Sequence, residues 1–318
     1  RFLGDSARFL DLRYHIELGP AGIQVWIVPM SENASLITVI MPVHNEVPPE
    51  WMANALDSIF EQKVRELEIV LINDGPLNDK QVEIVKKYEA LSNDKGFCFV
   101  LVANKRAKGP AGARNTGIEI ARGGFLALHD SDDISEAGRL HMQREYLKGS
   151  QLDFVGSYMH LFQTDPDVID GERKVPLDPE KVERRLIIHC PMNNPSIMGK
   201  ASAFKQLMYD ETFTVSEDYD LWSRAVTRGF ALGNVPVPLV RYRQIVHDTK
   251  KRQGLKYAVA DTRVRIMHVR RVRNLSLSFL SLAALMIPLG FILRILPPAA
   301  FALVYRLRSA QGTDNWWL

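Results

Sequence analysis

The stretch SLITVIMPVHNE, residues 35–46, decides the fold expected for this chain. Residues 35–41 form an apolar run rich in β-branched side chains, and the run ends at Pro42. Such a run is typical of a buried strand that gives way to a loop. Because His44 and Glu46 follow directly, the sequence predicts a strand that carries polar side chains just beyond its end.

The same pattern repeats along the next part of the chain. Further apolar runs predict strands at residues 68–73, 97–103 and 124–129. Segments with helical patterning lie between them, at residues 49–62, 79–91 and 110–122. Alternating strands and helices predict an α/β fold, a Rossmann-like mixed, mainly parallel sheet flanked by helices. Ligands in such sheets bind at the carboxyl ends of the strands.

The composition indicates a globular protein, since 46% of the 318 residues are hydrophobic. Cys98 and Cys190 lie far apart and have neither a disulfide pattern nor zinc-ligand spacing, so we expect a reducing compartment. The basic residues cluster beside an apolar segment rather than among exposed aromatics, which argues against nucleic acid as a partner.

The C-terminal tail is the most basic part of the chain, because residues 262–313 contain arginines but no acidic residue. Within it, residues 275–293 form an uncharged apolar stretch near the lower length limit for crossing a bilayer. An arginine cluster before an apolar stretch matches the positive-inside pattern. We expect a helical tail that associates with a membrane by spanning, re-entering or lying on it. The alternative is a helical hairpin that covers the body of the protein.

A short acidic motif follows the strand predicted at residues 124–129. Asp130, Asp132 and Asp133 would repel one another unless a cation or solvent screened them. Mg²⁺ or Mn²⁺ is commonly held by one or two carboxylates together with substrate phosphates. The motif therefore predicts a divalent metal site, with a solvated turn that caps a helix at residues 135–147 as the alternative.

Two further segments could serve the same chemistry. Residues 108–117, KGPAGARNTG, place free backbone amides and Arg114 at the start of a helix, where phosphate binds well, although a plain capped loop remains possible. In residues 216–222, SEDYDLW, Glu217 and Asp218 precede an amphipathic helix. They could cap the helix, or one could accept a proton from an attacking hydroxyl.

Taken in order, these motifs closely resemble glycosyltransferase family 2. The series is MPVHNE at 41–46, NDG at 73–75, GARNTG at 112–117, DSDD at 130–133, NPSIM at 194–198, EDYDLW at 217–222, and Tyr242-Arg243 with His247. It covers residues 35–250. The resemblance implies a GT-A fold, a single inverting displacement, a nucleoside-diphosphate sugar donor and Mn²⁺ or Mg²⁺. The family's second motif is altered here, since Asn73 replaces an acid and Pro76 a serine.

The resemblance also assigns roles to single residues. It implies that the nucleotide-sugar pocket comprises Pro42, His44, Glu46, Asp74, Arg114, Asp130, Asp132 and Arg243. It implies that Asp218 is the general base with Glu217 beside it, and that the metal is held by Asp132, Asp133 and His247. It places Asn194, Pro195, Ser196 and Trp222 on the donor-sugar and acceptor side.

The predicted organisation and function follow from these assignments. We expect an N-terminal extension at residues 1–34, a nucleotide-sugar-binding half at 35–150, an acceptor-binding half at 151–250 and the tail at 251–318. The expected enzyme moves a hexosyl or N-acetylhexosaminyl group from a UDP-sugar to a glycan or lipid-linked acceptor, at the cytoplasmic face of a bacterial inner membrane. A nucleotidyltransferase and an inactive membrane scaffold of the same fold are the alternatives.

Overall fold

The structure, a computed structural model, describes residues 16–19, 22–25, 33–244, 254–272 and 276–297. Of the predicted site residues, His247 lies outside this part of the chain. Near the N-terminus, β1 (Ile16–Gly19) and β2 (Gly22–Val25) pair in antiparallel fashion.

The elements that follow alternate as the sequence predicts. In chain order they are β3 (Asn33–Val43), α1 (Pro49–Phe60), β4 (Leu67–Asn73), α2 (Asp79–Lys95), β5 (Cys98–Ala103), α3 (Pro110–Ile120), β6 (Gly123–Leu128), β7 (Ile134–Ser135) and α4 (Arg139–Gly149). The helix predicted at residues 135–147 begins later than expected, because Ile134 and Ser135 pair with a distant strand.

The second half of the chain contributes shorter elements. They are β8 (Phe154–Phe162), β9 (Gly171–Arg173), α5 (Pro179–Arg185), a 3-10 turn (Asn194–Ser196), β10 (Met198–Lys200), α6 (Ala201–Leu207), α7 (Glu217–Thr227), β11 (Leu232–Arg243), α8 (Leu255–Arg271) and α9 (Leu277–Ile295).

Nine of the described strands form one mixed sheet with the order β5-β4-β3-β6-β10-β8-β11-β7, and β9 pairs with β8. Strands β5, β4, β3 and β6 are mutually parallel, whereas β10 runs antiparallel to both of its neighbours. The predicted α/β class, with a mixed sheet flanked by helices, is confirmed. The predicted boundary at residue 150 stays a prediction, since both sides of it supply strands to this sheet.

Helices cover both faces of the sheet because its central strands are apolar on both sides. Alternate residues of β3 enter different cores: Ile40 packs on one face and Val39 and Met41 on the other. On the first face, α3 approaches β3 and β4 closely at Gly117, where an added Cβ would lie 2.7 Å from a methyl carbon of Ile40. The glycine therefore sets how deeply α3 sits over the strand ends.

The C-terminal helices form a hairpin that packs on this body. Helix α8 joins the core through Val264, and Arg271 donates a hydrogen bond of 3.0 Å to Asp220 of α7. Helix α9 packs against α8, and Arg294 near its end pairs with Asp261 at 2.8 Å. A helical hairpin that packs on the body is thus present, but it does not bury its leucines as the covering alternative requires.

Helix α9 nevertheless leaves one side uncovered. It is long and apolar enough to cross a membrane, and only 11% of its most apolar window is buried in the protein. Leu277, Leu285, Ile292 and Ile295 are exposed along it, with Leu285 62% exposed. A contiguous apolar surface of this kind is typical of interaction sites.

Candidate active site

The site lies where the strand order reverses, at the carboxyl ends of β3 and β6. Pro42 lies within the last residues of β3, and His44 and Glu46 follow it on an exposed turn. The backbone N–H of Glu46 donates to Nδ1 of His44 at 3.3 Å, so the turn folds on itself and leaves both side chains accessible. Their contact with a nucleoside stays a prediction.

Asp74, just after β4, fixes the loop that leads into α3. Its Oδ1 accepts a hydrogen bond of 2.7 Å from Asn104, and its Oδ2 accepts one of 2.9 Å from the N–H of Gly109. An added Cβ on Gly112 would lie 2.0 Å from the carbonyl oxygen of Ala107, so the close return of this loop requires glycine there. The predicted contact of Asp74 with a base stays a prediction, while its observed role is to shape the loop.

Arg114 joins carboxylates from two distant parts of the chain. It donates to Oδ1 of Asp130 at 2.8 Å and to Oε1 of Glu217 at 2.9 Å, and it is 6% exposed. Burial alone would lower the pKa of Arg114, but the charges of Asp130 and Glu217 outweigh that cost and raise it. Arg114 is therefore charged and engaged within the protein, and its predicted contact with phosphates stays a prediction.

Glu217 and Asp218 begin α7 on the other side of this arginine. Burial, with the neighbouring charge of Asp218, raises the pKa of Glu217 above its ordinary value, although Arg114 counters part of the shift. Asp218 is half-buried, and its Oδ1 accepts the N–H of Tyr219 at 2.8 Å. The two acids have different environments, since Glu217 is buried and bound to Arg114, whereas Asp218 is half-buried.

The acidic loop after β6 is held from behind by Arg243. The backbone N–H of Arg243 donates to Asp133 at 2.9 Å, and its Nε donates to the carbonyl oxygen of Asp132 at 3.1 Å. Its guanidinium lies between the rings of Trp51, at 4.3 Å, and Phe162, at 4.5 Å. Arg243 is 3% exposed, and its observed contacts support the acidic loop. Its predicted contact with the nucleotide sugar stays a prediction.

The donor set of the acidic loop is compatible with a divalent metal that is completed by substrate. The described residues contain no cluster of three His, Cys, Asp or Glu side chains placed to hold an ion. Asp132 is half-buried at the site, whereas Asp133 is fully buried and its Oδ1 accepts the backbone N–H of Arg243 at 2.9 Å. The role of either residue as a metal ligand stays a prediction. One or two carboxylates with phosphate oxygens suffice for Mg²⁺ or Mn²⁺.

The predicted donor-sugar and acceptor residues lie beneath the site surface. Trp222 is fully buried, with its ring 5.4 Å from that of Phe154, so the structure shows it as a packing residue, and its predicted place at a ligand stays a prediction. Asn194, Pro195 and Ser196 form a buried turn in which the Ser196 hydroxyl accepts the N–H of Ser157 at 3.0 Å. This turn also belongs to the support of the site and offers no open side chain.

Two buried residues at the site escaped the sequence prediction. Arg139 is fully buried below the acidic loop and donates to the carbonyl oxygen of Leu128 at 2.8 Å. Burial lowers its pKa to about 9, and the charge of Asp133 counters the shift. The guanidinium of Arg114 lies 5.7 Å from the ring centre of Tyr209, and the Tyr209 hydroxyl donates a hydrogen bond to Oδ1 of Asn194. No local spacing distinguishes either residue from one on a solvated surface.

Comparisons with known proteins agree with this geometry. The family model for glycosyl transferase family 2 matches residues 38–211, more than half of the chain. An uncharacterized glycosyltransferase of Methanocaldococcus jannaschii is 28% identical over 209 residues, covering 65% of this chain and 70% of that relative. A UDP-Gal:alpha-D-GlcNAc-diphosphoundecaprenol beta-1,3-galactosyltransferase of Escherichia coli is 23% identical over 248 residues, covering 78% and 88%. By contrast, the chain spans only 33% of a relative from Rickettsia conorii.

Solved structures share the fold at low sequence identity. S. aureus TarS, solved in complex with UDP-GlcNAc, has a TM-score of 0.60 and 17% identity, with coverage of 81% of this chain and 72% of that chain. The mannosyltransferase PcManGT of Pyrobaculum calidifontis, in complex with GDP-Man and Mn²⁺, has a TM-score of 0.59 and 17% identity, with coverage of 88% and 77%. The predicted GT-A fold is confirmed, and the chain belongs to glycosyltransferase family 2.

Proposed function

We propose that this glycosyltransferase transfers a sugar from a nucleoside-diphosphate sugar, expected to be a UDP-sugar, to a lipid-linked or glycan acceptor. The transfer inverts the configuration at the anomeric carbon. The observation that carries the proposal is the bridge by which Arg114 joins Asp130, after β6, to Glu217, beside Asp218. It brings the acidic loop and the proposed base together at one edge of the sheet.

The proposed reaction is a single displacement. The acceptor hydroxyl gives its proton to Asp218 while its oxygen forms a bond to the anomeric carbon. The bond between that carbon and the diphosphate oxygen breaks, and the electron pair leaves with the nucleoside diphosphate. Glu217 is held by Arg114 and so stays apart from this proton transfer. A single displacement of this kind proceeds without a covalent intermediate between enzyme and sugar.

Charge on the leaving diphosphate must also be stabilised. A divalent metal, when bound, would neutralise part of this charge. Asp130 and Asp132 follow the carboxyl end of β6, and both side chains are half-buried. Asp132 would hold such an ion together with the phosphates, with Asp130 beside it. The backbone amides at the start of α3 face the same edge and favour an anion.

We further propose that the protein works on a membrane surface through α9. Its inner side packs on Ile187 and Ile188, while Leu285 and its exposed neighbours have no covering among the described residues. The name of the Escherichia coli relative specifies a diphosphoundecaprenol acceptor, which supports an acceptor held in a membrane. Since nucleotide sugars are made in the cytoplasm, the cytoplasmic face is the proposed location.

The activity is tested by incubating the purified full chain with UDP-, GDP- and dTDP-sugars, Mn²⁺ and membrane lipid extract. Release of a nucleoside diphosphate that depends on both sugar and extract is expected. Release of pyrophosphate would indicate a nucleotidyltransferase, and the absence of binding to every nucleotide sugar would favour a scaffold.

Membrane attachment is tested separately with Leu285→Glu in a vesicle co-sedimentation assay. The substitution places a charge on the exposed side of α9 and should reduce vesicle binding without lowering the melting temperature. Val168→Glu is the matched control, because Val168 is 57% exposed on a different part of the surface. Equal vesicle binding by both variants would contradict this part of the proposal.

A further inference from the structure

A group of basic residues lies where α5 meets the C-terminal hairpin. His189 follows α5 by one turn, and the charges of Arg173, Arg185, Arg265 and Arg294 all act on its ring. Burial first, and then these four arginines, hold the pKa of His189 well below its usual range. The ring is therefore neutral and can donate one N–H. We refer to these five residues as the basic cluster.

Two arginines of the basic cluster have donors with no acceptor in the described part of the chain. Nε of Arg185 is buried without a hydrogen-bond partner, and so are Nε and Nη1 of Arg265. Arg265 is 4% exposed and donates through Nη2 to the carbonyl oxygen of Ile188 at 2.8 Å. Buried guanidinium charge without a carboxylate partner is costly, and an anion bound nearby would offset it.

Acidic residues nearby neutralise only part of the basic cluster. Asp261 is already engaged, because it accepts hydrogen bonds from Ser216 at 2.5 Å and from Arg294 at 2.9 Å. Among the described residues, no carboxylate forms an ion pair with Arg185, and burial alone lowers its pKa. The unbalanced charge is therefore positive and lies mainly at Arg185 and Arg265.

The place of the basic cluster is as informative as its charge. Tyr219, which directly follows Asp218 in α7, donates a hydrogen bond to the carbonyl oxygen of Leu186, the residue after Arg185, so the proposed base lies close to the basic cluster. On the other side, Ile187 and Ile188 pack against Ala283 of α9, the helix with the exposed apolar surface. The basic cluster thus lies between the proposed base and the proposed lipid surface.

We propose that the basic cluster binds the diphosphate of a sugar-diphospho-lipid acceptor. This inference rests on the proposed function and names the acceptor class. In such a molecule a sugar hydroxyl, an anionic diphosphate and an apolar chain follow one another. Asp218 near the start of α7, the basic cluster after α5 and the apolar helix α9 are neighbours in the same order, since Tyr219 contacts Leu186, and Ile187 and Ile188 contact α9.

The members of the basic cluster would contribute in different ways. Arg185 is partly exposed, and its planar guanidinium can donate two parallel hydrogen bonds to phosphate oxygens. His189 can add a neutral donor one helical turn further on, since its backbone N–H bonds to the carbonyl oxygen of Arg185 at 2.9 Å. Arg265 lies against Gly290 of α9, where an added Cβ would lie 1.9 Å from Nη1, and acts through its charge.

The test measures binding of farnesyl-diphospho-N-acetylglucosamine to the full chain by calorimetry, with UDP and Mn²⁺ at saturation so that the donor site is filled. Arg185→Ala should weaken binding by about tenfold or more, the scale of a lost charge-assisted hydrogen bond. Arg184→Ala is the matched control, because Arg184 lies next in the chain, is exposed and pairs with Glu180 at 2.6 Å. Its affinity should stay within about twofold of the wild type.

A neutral probe shows whether the effect acts through the diphosphate. For N-acetylglucosamine joined to the same farnesyl chain by an ether, Arg185→Ala and wild type should bind alike. An equal loss with the neutral probe, or an equal loss in Arg184→Ala, would overturn the proposal. If Arg185→Ala melts at a lower temperature, Arg185→Lys provides the same comparison with the charge retained, and an intermediate loss is expected for the diphosphate probe alone.

Two further results separate this inference from binding of phospholipid headgroups and from failure of the proposed function. Vesicles of phosphatidylcholine and phosphatidylglycerol without acceptor should bind wild type and Arg185→Ala equally. A large loss there would mean that the basic cluster reads phospholipid headgroups, and would overturn the acceptor assignment. If wild type binds UDP normally and Arg185→Ala binds the diphosphate probe as well as wild type does, this inference fails while the proposed function stands. Failure to bind any nucleotide sugar would instead defeat the proposed function.

Discussion

The two sides of the candidate site differ in how their buried charges are balanced. On the side of β3, β4 and β6, Arg114 has two carboxylate partners and Asp74 uses both of its oxygens within the protein. On the side of α5 and the C-terminal hairpin, Arg185 and Arg265 keep buried donors without acceptors in the described residues. The first side is assembled without a ligand, whereas the second is arranged for an anion.

This difference indicates how the protein would bind its donor and its acceptor. A preassembled donor site requires little reorganisation when the nucleotide sugar binds. An uncompensated basic site discriminates between acceptors, because only an anionic acceptor offsets its buried charge. Three substitutions at the candidate site test this difference, and their expected effects decrease in the order Asp132→Ala, Asp218→Asn and Arg114→Met.

The largest effect is expected for Asp132→Ala, which should abolish transfer. Because this carboxylate is proposed to act through a divalent metal, the variant should also bind UDP much more weakly than wild type in Mn²⁺ but similarly to wild type in EDTA. Calorimetric titration of UDP under both conditions measures the difference. Equal UDP affinity of the wild type with and without metal would remove the metal from the account.

Asp218→Asn should reduce turnover by about 10²–10⁴, the usual range for a general base. Donor affinity should stay near that of the wild type, because Asp218 is not part of the Arg114 bridge. Steady-state rates and UDP-sugar titrations of the same preparation give the two values. If donor affinity fell as far as turnover did, Asp218 would hold substrate or structure and not a proton.

A smaller effect, on stability, is expected for Arg114→Met. The change leaves buried Glu217 without its cation and should lower the free energy of unfolding by about 3–5 kcal/mol, as for other broken buried pairs. Arg106→Met is the matched control, since Arg106 also pairs with two carboxylates, Glu119 and Glu211, but on the surface. The free energy of unfolding of Arg106→Met should fall by less than about 1 kcal/mol. Similar urea midpoints for both variants would contradict a preassembled donor side.

The sequence predicted the first half of the fold well because each element there has its own local signal. The strand at residues 68–73 is a continuous apolar run, and the observed β4 (Leu67–Asn73) differs from it by one residue. In the second half, β10 (Met198–Lys200) is too short to show a period, and it exists only because β6 and β8 lie on either side. Contacts between distant segments, not local pattern, form this half.

The motifs predicted which segments of the chain meet at the candidate site, but not which contacts each side chain makes there. The motif at residues 217–222 predicted Glu217, which Arg114 contacts, with Asp218 beside it, and also Trp222, whose place depends on aromatic packing with Phe154. The contacts of Arg243 with the acidic loop gave no local signal, because they join residues far apart in the chain. The sequence did not predict a role for Arg185, because an arginine at the end of a helix usually lies in solvent. Only the structure shows that its Nε is buried without a hydrogen-bond partner among the described residues.

The most direct test of the central claim, an inverting transfer from a preassembled donor site, is the anomeric configuration of the product. Proton NMR of a reaction with the full chain, a UDP-sugar that it binds and farnesyl-diphospho-N-acetylglucosamine would follow the anomeric signal of the transferred sugar. The account predicts a new linkage of configuration opposite to that in the donor, formed together with UDP. A product that keeps the donor's configuration would contradict it, because a single displacement with Asp218 as base cannot retain that configuration.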